Sequence, residues 1–274
     1  MTITCKGKLI DFKTPKVMGI LNITPDSFYD ESRNASPDVL LKKAEVMLEQ
    51  GATFLDVGGY SSRPGAEDIS QDEELKRVLP AIEILLKNFP DALISVDTFR
   101  SKVAERSIQA GAALVNDISA GNLDLEMMQV IARHQVPYIM MHMRGTPQTM
   151  KDLNSYEDVT QEVLFYFSEK IKAARTLGIN DLIIDPGFGF SKNIAQNFEL
   201  LSNLELFEVL ELPVLAGLSR KSTIYKTLNC TPNEALNGTT VLNTLALTKG
   251  ADILRVHDVK EAMEIVKLTA QIKN

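Results

Sequence analysis

The chain has 274 residues, of which 45% are hydrophobic, 24% charged and 6% aromatic, and it has no Trp. These are the proportions of a folded globular protein, not a disordered or fibrous one. With 36 acidic against 29 basic residues the net charge is −7, which excludes a globally basic nucleic-acid binder. The opening MTITCKGKLIDFK lacks the apolar stretch of a secretory leader, and no segment reaches the roughly 20 apolar residues of a membrane helix. Cys5 and Cys230, far apart in sequence, fit no CxxC or zinc spacing, so a reducing cytoplasm is the expected setting.

Thr2–Lys13 alternates around Lys6–Lys8, which predicts a short N-terminal hairpin within residues 1–15 that closes the bottom of the fold. Apolar runs rich in Val, Ile and Leu then predict strands at Val17–Asn22, Phe54–Gly58, Leu93–Asp97, Leu114–Ile118, Tyr138–His142, Leu182–Asp185, Val214–Leu218 and Ile253–His257. Helical spacing fills the intervals. Pro37–Gln50 opens with Ser36 as N-cap and Pro37 at the first helical position and closes at Gly51. Asp72–Asn88, Ser101–Ala110, Leu125–His134, Asp158–Leu177, Ala195–Glu211, Pro232–Lys249 and Val259–Ile272 complete the set.

Eight strands alternating with eight helices is the count of a single-domain (β/α)8 TIM barrel, here spanning 1–274; a doubly wound sheet has the same alternation. GATFLDV, GAALVND and GADILRV each place Gly-Ala between a helix and the next strand, a weak internal repeat that α/β loops also reach by shared helix-end chemistry. Two long connections interrupt the pattern after strands one and two, Ile23–Ser36 and Tyr60–Ser70. At that length they read as mobile loops over a site.

Every predicted strand ends in polar residues: Asn22, Asp56 with Gly58, Asp97, Asn116 with Asp117, His142, Asp185, Ser219-Arg220-Lys221, and Arg255 with His257. A single Asp there is often a helix cap, but polar groups at all eight ends suit a barrel mouth, where barrel enzymes place their chemistry. Arg63, Lys221, Arg255 and His257 suit an anion, since guanidinium forks and point charges both bind phosphate. Asn22 offers a neutral oxygen to Mg²⁺ held mainly by phosphate and water. Asp185 and Asn116 match complementary edges of a flat heterocycle, because carboxylates accept N–H groups and carboxamides both donate and accept. His134 reads as structural, His142 as either a mouth or a structural residue, and the Met residues near 140 as packing.

MGILNITPDSF at 18–28, GGYSSRPGA at 58–66, SVDTFR at 95–100, NDISAG at 116–121, DPGFGF at 185–190, GLSRKS at 217–222 and RVHDV at 255–259 together resemble the dihydropteroate synthases. The likeness runs almost the full length, in the expected order. It implies a (β/α)8 barrel that joins 4-aminobenzoate to 6-hydroxymethyl-7,8-dihydropterin diphosphate, giving 7,8-dihydropteroate and diphosphate in folate biosynthesis. Carried over by motif, Asp97, Asn116, Asp185, Lys221 and Arg255 would hold the pterin, and Phe28, Pro64, Phe190 and Ser222 the 4-aminobenzoate. Asn22 would coordinate Mg²⁺, and Asn22, Ser62, Arg63, Lys221, Arg255 and His257 would serve catalysis. The resemblance further implies a sulfonamide-binding site and a cytoplasmic homodimer. Two positions depart from it: Tyr60 stands where the family often has Glu, and Ser62 where it often has Thr.

Two other readings share the fold. A pterin-dependent methyltransferase partnered by a corrinoid protein would keep Asp97, Asn116 and Asp185 but need neither the Thr-Pro-Asp-Ser-Phe nor the Ser-Arg-Lys segment. A non-catalytic pterin binder would not need Asn22, Arg255 and His257 together.

Overall fold

A computed structural model describes residues 1–23, 37–61 and 68–272. The expected long loops fall largely on 24–36 and 62–67, outside the described residues, together with Phe28, Ser62, Arg63 and Pro64.

The chain opens on a hairpin, β1 (Thr2–Cys5) and β2 (Lys8–Asp11), paired antiparallel in the register Cys5↔Lys8. Lys6 and Gly7 form its two-residue turn, both at positive φ (48° and 73°), as a type I′ hairpin turn requires. Parallel strands follow: β3 (Lys16–Asn22), β4 (Phe54–Gly58), β5 (Leu93–Asp97), β6 (Leu114–Asp117), β7 (Tyr138–Met141), β8 (Leu182–Asp185), β9 (Leu215–Ala216) and β10 (Ile253–Val256). They pair in sequence order from β3 to β8, and β10 pairs both β9 and β3. A bridge between Ile184 and Val214 joins β8 to β9 and closes the barrel. Around it run α1 (Pro37–Glu49), α2 (Gln71–Asn88), α3 (Ser101–Gln109), α4 (Met127–His134), α5 (Val159–Thr176), α6 (Ile194–Ser202), α7 (Ser222–Thr227), α8 (Leu236–Thr248) and α9 (Val259–Ile272). No helix among the described residues is long and apolar enough to cross a membrane.

Alternation along each strand separates two cores. Outward residues such as Leu55, Val57, Ile94, Val96, Leu254 and Val256 join the cluster buried under the helices. Inward residues at the strand starts (Met18, Phe54, Leu93, Leu114, Ile139, Ile183, Leu215 and Ile253) form a second cluster capped by Ile3, Cys5 and Phe12 of the N-terminal segment. The hairpin therefore plugs the bottom of the barrel. Cys5 Sγ lies 3.6 Å from the Ala113 carbonyl, and burial pushes its thiol up to about 12, an inert packing thiol. Two residues further along, the same inward face turns polar: Phe54 is followed by Asp56, Leu114 by Asn116, Ile183 by Asp185 and Ile253 by Arg255. Apolar bottom and polar top are thus consecutive layers of one barrel interior.

Strand and helix ends shift by a residue or two, and beyond that two predicted helices are divided and one predicted strand shrinks to two residues. The predicted helix Ala195–Glu211 is broken at Asn203, after which Leu204–Leu210 is a 3₁₀ helix. Leu204 and Phe207 are both buried and Leu210 packs on the core, a spacing of three that matches the three residues per turn of that helix. The predicted Pro232–Lys249 starts with a separate 3₁₀ turn, Pro232–Glu234, in which Thr231 and Glu234 form a reciprocal capping box. The predicted strand Val214–Leu218 pairs with β10 only at Leu215 and Ala216, and just before them the Val214 N–H donates to the side chain of Asp252 at 2.9 Å.

Candidate active site

The polar top layer converges on a guanidinium. Arg255, inward on β10, donates from Nε to Asp56 Oδ2 and from Nη2 to Asp97 Oδ2, each at 2.6 Å. Asn116 Nδ2 donates to the same Asp56 oxygen at 3.0 Å, which fixes its carboxamide and turns Oδ1 the other way. Burial, together with the neighbouring Asp56, pushes the Asp97 carboxyl up to about 7 against the pull of Arg255. Burial works against the charge on Arg255, yet Asp56 and Asp97 outweigh it and hold the guanidinium above its ordinary range. Asp56 is fully buried, and its Oδ1 makes no hydrogen bond.

Across the mouth stands a second charged pair. Asp185 ends β8 and accepts the Gly187 N–H on Oδ1 at 2.8 Å. Lys221 precedes α7 and donates to the Phe188 carbonyl. A Cβ added at Gly217 would sit 3.5 Å from Lys221 Nζ and 3.8 Å from Asp185 Oδ2. The bare glycine is thus the floor between a carboxylate and an ammonium. Burial raises the Asp185 carboxyl, with Lys221 and the Gly187 N–H opposing, and lowers Lys221 to about 8, with Asp185 opposing. The Lys221 ammonium also lies 4.8 Å from the centre of the Phe190 ring, which tops this pocket.

The turn between β8 and α6 depends on its glycines. Gly187 has φ +75°, and a Cβ there would lie 2.1 Å from the His142 carbonyl, so no other residue fits without backbone movement. At the rim, the backbone N–H of His257 donates to Ser219 Oγ at 3.2 Å, and that hydroxyl lies 3.0 Å from His257 Nδ1. Arg220 takes no part in the mouth. It forms a bidentate pair with Asp258 at 2.8 and 2.9 Å and caps the carbonyls of Pro232 and Asn233.

The structure therefore brings Asp97, Asn116 and Arg255 into one bonded chain and Asp185, Lys221 and Phe190 into a second cluster. Ser222, half-buried, directly follows Lys221, and Asn22 is exposed at the end of β3. The sequence shows Asp56 only as one of the polar residues at the strand ends, with nothing to mark it as the hub of the first chain. The signal for its inward direction is its place two residues before Gly58 on the face shared with Phe54. The sequence also does not single out Lys192, whose ammonium is buried beneath the 185–190 turn. Asp117, next to Asn116, faces outward. It accepts from Ser119, Gly121 and the Tyr138 hydroxyl and so shapes a turn. Among the described residues, a groove of about 710 Å³ between α1 and α9 shares with the mouth only His257, so the paired charges and not that groove define the site.

An eight-stranded barrel whose C-terminal mouth pairs a carboxylate–carboxamide edge with a cationic side is the architecture of a pterin-binding enzyme. Residues 18–257 match the family described as pterin binding enzyme. Dihydropteroate synthase of Escherichia coli (strain K12) is 42% identical over 278 residues, covering 100% of this chain and 98% of that protein. A crystal structure of Yersinia pestis dihydropteroate synthase with a sulfonamide drug is 40% identical, with a TM-score of 0.93, covering 100% of this chain and 99% of that one. Dihydropteroate synthase from Xanthomonas albilineans in complex with 7,8-dihydropteroate is 35% identical, with a TM-score of 0.89 over 100% of this chain and 99% of that one. The chain belongs to the dihydropteroate synthase family of pterin-binding enzymes.

Proposed function

We propose that the protein condenses 6-hydroxymethyl-7,8-dihydropterin diphosphate with 4-aminobenzoate to 7,8-dihydropteroate and diphosphate. One observation carries the reading. Asp185 and Lys221 converge above the side-chain-free Gly217, opposite the Asn116–Asp56–Arg255–Asp97 chain. That arrangement presents acceptors to the 2-amino and N3–H edge of a pterin and an ammonium to its 4-oxo group. Asp97 and Asn116 Oδ1 face the other edge. Arg255, held by two carboxylates, offers a fixed guanidinium plane for stacking on the ring.

The reaction is a dissociative substitution. The bond between the pterin methylene carbon and the diphosphate oxygen breaks, and the electron pair leaves with diphosphate. The ring nitrogens delocalise the resulting cation. The amine lone pair of 4-aminobenzoate then forms the new C–N bond, and the nitrogen releases its proton to the departing diphosphate or to water. The aromatic amine attacks in its neutral form and needs no strong base, so the protein's contribution is placement and charge stabilisation. Arg255 and His257 stand on the diphosphate side. Ser222 meets the carboxylate of 4-aminobenzoate with hydroxyl and backbone N–H, and Phe190 packs on its ring.

No group of three or more His, Cys, Asp or Glu able to hold a metal ion occurs among the described residues. A lone carboxamide oxygen, as at Asn22, suits Mg²⁺ that draws most of its ligands from diphosphate and water. When bound, Mg²⁺ would neutralise charge on the leaving group. A homodimer through the C-terminal outer helices is supported by the exposed Leu228, Val241 and Leu245. Two free cysteines in no disulfide suit a reducing compartment, and we place the protein in the cytoplasm.

The test is turnover of the two substrates with Mg²⁺. Formation of dihydropteroate supports the reading, and tight pterin binding without product would reduce the protein to a pterin binder.

A further inference from the structure

Two lysines grip the turn that follows β8, from opposite sides. Lys221 reaches the Phe188 carbonyl from the mouth. Lys192 lies beneath, 8% exposed, and its Nζ is 3.1 Å from the Gly187 carbonyl, 3.1 Å from the Phe190 carbonyl and 2.9 Å from His142 Nδ1. An ammonium has three N–H donors, and here three acceptors surround it. His142 is buried at the end of β7 with its ring edge-on to Tyr166 at 4.8 Å. Burial and the neighbouring cations hold it neutral, at about 2, so Nδ1 keeps a lone pair for Lys192 when the proton sits on Nε2. The turn has one further tie from below: Asn197 Oδ1 accepts the Gly189 N–H at 2.6 Å.

In the proposed reaction Lys221 donates to the pterin as well as to the Phe188 carbonyl. The turn must keep its shape while Lys221 turns toward the ring, because Asp185 and Phe190 sit at its two ends. We propose that Lys192, seated on His142, is a positioning residue that holds this turn rigid and so sets where Asp185 and Phe190 meet the substrates. The inference rests on the synthase reading.

The groups facing Lys192 have distinct effects. Burial lowers its proton affinity most, to about 7, Asp185 opposes that, and Lys221 and Arg144 add to it. The Ser191 hydroxyl, next to Lys192, lies 3.4 Å from the Tyr156 hydroxyl of the connection before α5. A deprotonated Lys192 would retain two donors for three acceptors and loosen the turn.

Lys192→Met, similar in volume and without a donor, tests the proposal. Removing the donor leaves the Gly187 and Phe190 carbonyls without it and costs stability, but a role in stability alone lowers the unfolding midpoint of the folded variant and leaves both KM values unchanged. The expected result is a tenfold or larger rise in KM for the pterin diphosphate, with kcat within about threefold. Lys192→Gln, which keeps two donors, recovers part of the loss. On an Asp185→Asn background the Lys192→Met effect shrinks, because the turn then positions a group that no longer recognises the ring. Unchanged KM values in both folded variants, or full additivity with Asp185→Asn, would overturn the proposal. So would failure of both variants to fold, which would make Lys192 a stability residue. Absence of product from the unmodified protein would instead reject the synthase reading.

Discussion

Arg255 and Asp56 are 199 positions apart in sequence and 2.6 Å apart in space, joined through Nε and Oδ2. The pair ties the last strand of the barrel to its second strand at the height where the interior turns from apolar to polar. Asp56 also orients Asn116, so one buried carboxylate sets the plane of the guanidinium and the direction of the carboxamide.

Removing that carboxylate leaves a partly buried guanidinium with one carboxylate partner, beside a carboxamide that has lost its acceptor. Asp56→Ala should destabilise the fold by about 3 kcal/mol, in the range for breaking a buried pair, as measured by denaturant unfolding. It should also cut turnover at least tenfold, because the guanidinium loses its fixed plane. An activity loss with unchanged pterin KM and unchanged stability would contradict this account.

Arg255→Lys keeps the charge and loses the planar fork that bridges Asp56 and Asp97. Turnover should fall by about two orders of magnitude, the scale of losing one well-placed electrostatic donor. Near-normal turnover in steady-state kinetics would show that charge alone suffices.

Much of this was legible beforehand. The hairpin, the alternation of eight strands with helices and the polar strand ends all follow from local chemistry, and Gly51, Gly111 and Gly250 of the internal repeat do adopt positive φ. Asp185, Lys221, Asn116, Asp97 and Arg255 were visible as strand-end residues. What the sequence could not display was the pairing among them. Asp56 looks like any buried strand residue until closure of the barrel brings Arg255 to it. Lys192 looks like a surface lysine until the turn folds over it. The break at Asn203 was hidden because Leu204 and Phe207 satisfy helical spacing as well as 3₁₀ spacing.

Lys221 gives the site a pH dependence of defined sign. Its ammonium form is needed to donate to the pterin, and burial lowers it to about 8. The kcat/KM for the pterin diphosphate should therefore fall as pH rises through about 8. For stability the sign is opposite. An ordinary lysine titrates near 10.5 in the unfolded chain, so the folded state bears the full cost of the buried charge below pH 8 and is relieved of it between there and 10.5. Lys221→Met should remove the part of each dependence that lies between about 8 and 10.5, as read by pH–rate profiles and pH-dependent unfolding.

Gly187→Ala would force a Cβ to within 2.1 Å of the His142 carbonyl at a φ of +75°. Strain and overpacking together should cost about 3 kcal/mol or more, visible as a lower thermal midpoint, with the pterin KM rising because Asp185 loses its N–H partner. A midpoint equal to the unmodified protein's would contradict the tight approach of the two turns.

Ser222→Ala should raise KM for 4-aminobenzoate several-fold, with little change in the pterin KM, which two-substrate kinetics separates. Equal effects on both substrates would place Ser222 in the pterin pocket instead.

The central claim is the joining of two substrates at one mouth. Incubation of the purified protein with 6-hydroxymethyl-7,8-dihydropterin diphosphate, 4-aminobenzoate and Mg²⁺, followed by chromatography and a diphosphate assay, tests it directly. The account predicts dihydropteroate and diphosphate in equal amounts, with product formation lost in Arg255→Ala. Diphosphate release without dihydropteroate, or no turnover despite pterin binding, would contradict it.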